Sequence, residues 1–221
     1  MSFVTFKYIK ENEEIRTYIK KADESLAELG YTEHSFAHVG IVSQNAGLIL
    51  EKLGKSEREI ELAKIAGYMH DIGNVVNRVN HALSGSIMAF RLLDKINVPP
   101  EEICKIISAI GHHDEGTAQP LNALCAAVII ADKTDVRRSR VRNTDLITFD
   151  IHDRVNYAAE KSSLYFNQDN TILIMDLKID TDISSVMEYF EIFLERMLLC
   201  KKSAMYLGIK FEVIINGLKM L

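Results

Sequence analysis

Six of the seven histidines lie between positions 34 and 113, and several stand where a core aliphatic side chain is expected. His38 shares a helical stripe with Val42, Ala46, Ile49 and Leu53, so its imidazole points inward. Asp132 follows Leu124 and Val128 at helical spacing, and His113 stands likewise after Ile106 and Ile110. A buried carboxylate is costly unless a cation compensates it. Asp132 therefore needs either an arginine or a metal ion. One inward histidine, such as His38 alone, is more often a satisfied core residue than a ligand. The adjacent pair His70-Asp71 shifts that balance. Neighbouring helical residues point roughly a quarter-turn apart, so the dipeptide offers both a nitrogen and an oxygen ligand. A carboxylate can also bridge two cations, which imidazole cannot readily do.

The elements that must position these residues are mostly helices. Prolines occur only at 99, 100 and 120, and the long segments between breakers carry a helical period. The pattern predicts an amphipathic helix from Tyr8 to Leu29 ended by Gly30, and another from Thr32 to Leu53 stopped by Gly54. Ser56 and Glu59 form a capping box for a helix reaching His70, whose inward side is small at Ala63, Ala66 and Gly67. Further helices are expected from His81 to Asn97, from Pro100 to about His113, and from Pro120 through Asp132. Beyond residue 145 the character changes. A short helix near Asp153 to Glu160 precedes strands at 163–166 and 172–179, joined by the turn Asn167-Gln168-Asp169-Asn170. A long helix capped by Asp182 then runs to Tyr206, with Gly208 after it, and a third strand spans 211–215. Its apolar residues Met187, Phe190, Phe193, Leu194, Met197 and Leu198 are expected to pack on the first domain. The expected fold is mainly α: a helical bundle over 1–145 and a small C-terminal α/β cap over 146–221.

The ordered set His38, His70-Asp71 and Asp132, in the strings HVGIVSQNA, GYMHDIGN and AAVIIADKTD, resembles the HD superfamily of metal-dependent phosphohydrolases. Between them, NHALSGSIMAF and IGHHDEG resemble segments of its HD-GYP branch. The resemblance covers about residues 34 to 135 and implies an HD-domain bundle. It assigns His38, His70, Asp71 and Asp132 to a first metal. It also makes Asp71 a bridge to a second metal held by His81, His112 and His113. Imidazole with carboxylate suits iron, manganese or zinc better than calcium, with one or two ions per chain. From periodicity alone, His113 faces the core stripe, whereas His112 falls beside Lys105 and Ser108. Two positions depart from the HD-GYP branch: Asn74 replaces a lysine, and Asp114-Glu115-Gly116-Thr117 stands where Gly-Tyr-Pro would follow, which argues against cyclic di-GMP as substrate. The HDIGNVV run also differs from the HDxxED pattern of the alarmone hydrolases. His34 is expected to pack outside the ligands, and His152 receives no role.

The implied reaction is hydrolysis of a phosphate ester of a nucleotide or related phosphometabolite by metal-activated water, with Asp71 and Asp132 as catalytic ligands. Asp132 is also expected to accept a hydrogen bond from the nucleophile. Lys133, Arg137 and Arg138, in the basic run 133–142, are candidate phosphate contacts, since guanidinium matches phosphate in a fork. Asp135 could instead tie one arginine into a salt bridge. The alternatives are a non-catalytic HD sensing or scaffold module, a nucleic-acid-binding protein using that run, and a di-iron oxygenase. The net charge of −5 argues against a nucleic-acid partner, because such binding neutralises many phosphates. The 48% hydrophobic and 26% charged shares fit a globular chain with a sizeable core. The N-terminus lacks a signal-peptide pattern and no apolar run reaches membrane-spanning length, so no membrane partner and a cytoplasmic location are expected. Cys104, Cys125 and Cys200 read as buried free thiols, and the absence of CxxC argues against a thiolate zinc site. A homo-oligomer is left open.

Overall fold

The computed structural model describes residues 4–143 and 150–221, so the expected boundary at 145 lies outside the described residues. They form α1 (Phe6–Glu11), α2 (Glu13–Glu28), α3 (Phe36–Lys52), α4 (Glu57–Met69), α5 (His81–Lys95), α6 (Pro100–Gly111) and α7 (Ala123–Lys133). After these come α8 (Ile151–Ala158), β1 (Ala159–Phe166), β2 (Ile172–Ile179), α9 (Val186–Tyr206), β3 (Lys210–Ile215) and β4 (Leu218–Lys219). Short 3-10 turns cover Ile72–Val75 and Arg138–Arg140. No helix among the described residues is long and apolar enough to cross a membrane.

The bundle is built around α7, in which every residue from Leu124 to Ala131 is buried. A helix apolar all round must sit inside, and α3, α4, α6 and α9 pack on it. The predicted capping box of Ser56 and Glu59 opens α4. At Gly67 a side chain would press within 3.0 Å of the Ser43 Cα. The small inward face of α4 thus lets α3 approach closely, which brings His38 to His70.

Several boundaries differ from the sequence reading. The first expected helix breaks at Asn12, which ends α1 and whose side chain caps α2 by accepting from the Ile15 amide. Ser35 caps α3, so His34 precedes that helix. Asn122, rather than Pro120, opens α7, and Leu121 is exposed. Ser185 replaces Asp182 as the cap of α9, with Glu188 completing a capping box. The sheet has a fourth strand, in order β1-β2-β3-β4, with β2 and β3 parallel and the other pairs antiparallel. Parallel neighbours need a crossover, and α9 supplies it. The β1–β2 turn falls where expected: Asn167 Oδ1 accepts from the Thr171 and Ile172 amides, and Asn170 takes a left-handed φ of 53°. On α9, Phe193 and Met197 are buried, whereas Met187, Leu194 and Leu198 are exposed. Cys125 and Cys200 are buried free thiols as expected, but Cys104 sits on the exposed side of α6.

Candidate metal centre

The inward histidines and aspartates meet at one end of the bundle, each at a helix terminus. His38 lies in the first turn of α3 and His81 opens α5. His70 is the C-terminal cap of α4, His113 follows the cap of α6, and Asp132 is in the last turn of α7. Three helix C-termini therefore converge there, and their unpaired carbonyls favour positive charge. Gly73 in the 3-10 turn allows α5 to approach: a Cβ there would collide with the His81 carbonyl oxygen.

Asp71 stands between two histidine pairs. Its Oδ2 lies 3.5 Å from His38 Nε2 and 3.1 Å from His70 Nε2. Its Oδ1 lies 3.4 Å from His81 Nε2 and 3.7 Å from His113 Nε2. Asp132 Oδ1 joins the first pair, 3.4 Å from His38 Nε2 and 3.7 Å from His70 Nε2. Within each of three groups (His38-His70-Asp71, His70-His113-Asp132 and Asp71-His81-His113) the donor atoms lie within 4.8 Å of one another.

The ring tautomers show what this arrangement requires. The Nδ1 atoms of His70, His81 and His113 lie 2.8, 2.9 and 2.6 Å from the carbonyls of Gly67, Arg78 and Ile110. His38 Nδ1 lies 2.7 Å from Asp135 Oδ2. Carbonyls and carboxylates only accept, so each Nδ1 donates and each neutral ring turns the lone pair of Nε2 inward. The facing Nε2 atoms are 3.3 Å apart in His38–His70 and 3.1 Å apart in His81–His113. Lone pairs facing one another and carboxylate oxygens call for a cation. The donor set, buried imidazoles with shared carboxylate, fits a first-row transition metal, and the Nδ1 partners are the outer supports such ligands need.

Charge around the centre points the same way. Burial alone would lower the His70 pKa, but the Asp71 charge and hydrogen bonding to Asp132 raise it to about 10. Burial would raise the Asp71 carboxyl, yet the His70 charge and the adjacent His113 and His38 rings hold it well below the usual carboxylate range. Asp132 is likewise held low against burial by Lys133, whose Nζ donates to its Oδ2 at 2.6 Å. This corner draws in positive charge.

Not every expected residue joins. His112 caps α6 through its backbone and stands outside the three donor groups. Its neighbour His113 takes the buried, inward position instead. Lys133 lines the pocket above the centre. Arg137 and Arg138 do not line it: Arg137 pairs with Asp135 at 2.8 Å and Glu33 at 3.0 Å, and Arg138 donates to the Tyr157 carbonyl at 2.5 Å. Arg140 donates to the carbonyls of Glu33 and Asp135, and Arg142 pairs with Asp23. Arg137, Arg138 and Arg142 are thus consumed in internal links, whereas Lys133 and Arg140 of the same run line the pocket. Asp135 does tie an arginine, and it also holds His38, which periodicity did not reveal. His34 packs edge-on to His38, with ring centroids 5.3 Å apart, and its Nε2 lies 4.0 Å from Asp71 Oδ2. A cavity of about 300 Å³ opens over the centre, with walls that include Arg78, Arg140, His152, Asn156 and Arg196. The last three, which α8 and α9 bring to the pocket, carry no signal in the residue pattern.

The HD domain family matches residues 35–137. The uncharacterized protein MJ1020 of Methanocaldococcus jannaschii is 27% identical over 154 residues, covering 60% of this chain and 59% of the relative. The chain therefore spans less than two thirds of that relative's length. A solved structure of a predicted HD superfamily hydrolase from an uncultured Thermotogales bacterium is 23% identical, with a TM-score of 0.44, covering 56% of this chain and 67% of that one. The matched segment spans α3 through α7 and contains every residue of the three donor groups, and over it the chain is similar to the HD domain family.

Proposed function

We propose that the chain is a metal-dependent phosphohydrolase that cleaves a phosphate ester of a nucleotide or related phosphometabolite. The HD-domain match over residues 35–137 and the clustered His/Asp groups support a metal-dependent hydrolase. One observation carries the finer reading. Asp71 offers its two oxygens to two separate histidine pairs on the floor of a pocket whose walls hold Arg78, Lys133, Arg140 and Arg196. Divalent cations held there would lower the pKa of a bound water from about 16 toward about 7 and offset phosphoryl charge. Iron, manganese or zinc suits the ligands.

The protein's own groups have distinct tasks in this reading. Asp71 holds the two donor groups in register. Asp132 directs Oδ1 to the first histidine pair while Lys133 fixes its Oδ2. Burial of His38, His70, His81 and His113 keeps bulk water from the ligand shell. The cationic wall favours an anionic substrate. The test is phosphate release from a panel of nucleotides, cyclic nucleotides and sugar phosphates with Mn²⁺, using Asp71→Ala as control. Turnover of a phosphate ester that the control lacks is expected. No turnover across metals and substrates, or equal turnover by the control, overturns the reading.

A further inference from the structure

The four cations of the pocket wall are not equivalent. Lys133 lies 2.6 Å from Asp132 and 3.4 Å from Glu115. Arg196 Nε lies 2.6 Å from Glu115. Arg140 donates to two backbone carbonyls at 2.8 and 2.9 Å and lies 3.8 Å from Asp135. Arg78 differs: among the described residues it has no carboxylate within 4.0 Å. Its Nη1 reaches only neutral groups, Asn74 Oδ1 at 3.4 Å and His81 Nε2 at 3.3 Å, while His81 Nδ1, at 3.5 Å, carries a proton and does not accept. Those distances are at the outer limit of hydrogen bonding, so most of the guanidinium fork is unused. The side chain is half-buried, with its guanidinium carbon 5.7 Å from the Tyr31 ring centroid.

Position adds to the argument. The Arg78 carbonyl accepts from His81 Nδ1 at 2.9 Å, so the residue is tied to a member of the Asp71-His81-His113 group. Asn74, its other contact, is locked to Asp71 through Nδ2 at 2.9 Å. A partly desolvated guanidinium without a counter-charge gains most from a bidentate oxyanion.

We propose that Arg78 is the phosphoryl-gripping residue of this pocket, its free fork receiving two oxygens of a phosphate monoester held against Asp71, His81 and His113. This rests on the phosphohydrolase reading above and names a contact that the basic run after Asp132 does not supply.

The test is calorimetric titration of inorganic phosphate into the Mn²⁺-loaded full chain, comparing wild type, Arg78→Ala and Arg78→Lys, with bound manganese counted in each. Loss of a charge-assisted pair should weaken phosphate binding in Arg78→Ala by about 10-fold or more. Arg78→Lys should fall between the two, because an ammonium keeps the charge but not the fork. Manganese content should be equal in all three. If Arg78→Ala binds phosphate as wild type does, or loses its manganese, the assignment to Arg78 is overturned while the hydrolase reading stands. If wild type itself does not bind phosphate, the hydrolase reading falls and takes this one with it. Arg78→Lys decides the matter should Arg78→Ala fail to fold: phosphate binding undiminished in it overturns the assignment.

Discussion

Replacing Asp135 with asparagine isolates the outer support of the metal centre. The Asp135 side chain meets the donor groups at His38, its Oδ2 accepting from His38 Nδ1 at 2.7 Å and its Oδ1 from Arg137 Nε at 2.8 Å. Its side chain is 3% exposed, so water cannot take over either role. Asparagine keeps the shape and has one acceptor oxygen. Whichever way the amide turns, an NH₂ group faces either the His38 N–H or the Arg137 N–H. Relief by tautomer exchange in His38 would move its hydrogen to Nε2 and remove the lone pair aimed at Asp71 and Asp132. Loss of such an outer partner costs about 10- to 100-fold in metal affinity, or about 1.4 to 2.7 kcal/mol. Competitive Mn²⁺ titration against a chelating fluorophore measures this, with thermal unfolding of the metal-free proteins run alongside to separate folding from binding. The Arg137→Gln variant, which leaves the His38 link intact, should lose less affinity. Mn²⁺ affinity in Asp135→Asn equal to wild type would refute the reasoning.

Two further perturbations reach the scaffold. Gly73→Ala places a Cβ against the His81 carbonyl oxygen and within 2.5 Å of the Gly85 amide nitrogen. It should cost about 1–3 kcal/mol, as overpacking does, and weaken metal binding by displacing His81; denaturant unfolding and metal titration check both effects. Glu188 accepts from the Ser185 amide and pairs with Arg154 and Ser184, which together lower its carboxyl to about 2. Because its folded value is depressed, its contribution is complete above the unfolded value of about 4.3 and disappears as pH falls through about 2. Stability measured from pH 6 downward (about 6 to about 2) should fall less steeply in Glu188→Gln than in wild type.

The centre was readable because its chemistry conflicts with its surroundings. Histidines and an aspartate at core positions of His38, His113 and Asp132 announce themselves against an aliphatic period, and the His70-Asp71 dipeptide orders them. Helix ends were less readable. Asn12, Ser35, Asn122 and Ser185 each cap a helix with a side-chain oxygen, a local choice that hydrophobic period does not see. Long-range pairing was least readable. That Arg137 turns to Glu33, Arg142 to Asp23, and Asp135 to His38 depends on how α3 and α7 cross. A basic run looks the same in sequence whether it clamps a ligand or staples the fold. Arg78 was missed for the converse reason: it is a single cation in a loop, and only the absence of a carboxylate around it among the described residues sets it apart. The pocket walls from α8 and α9 lie outside the matched segment and follow from the packing of α9 on α7.

Asp71, with its two oxygens directed to separate histidine pairs, is the proposed link between two cation-binding groups. Metal content per chain, measured by mass spectrometry after Mn²⁺ loading and dialysis, tests it in wild type, Asp71→Ala and His81→Ala. Two ions in wild type, one in His81→Ala and none retained in Asp71→Ala is the predicted result. An Asp71→Ala protein that is folded and keeps the wild-type metal content would contradict it.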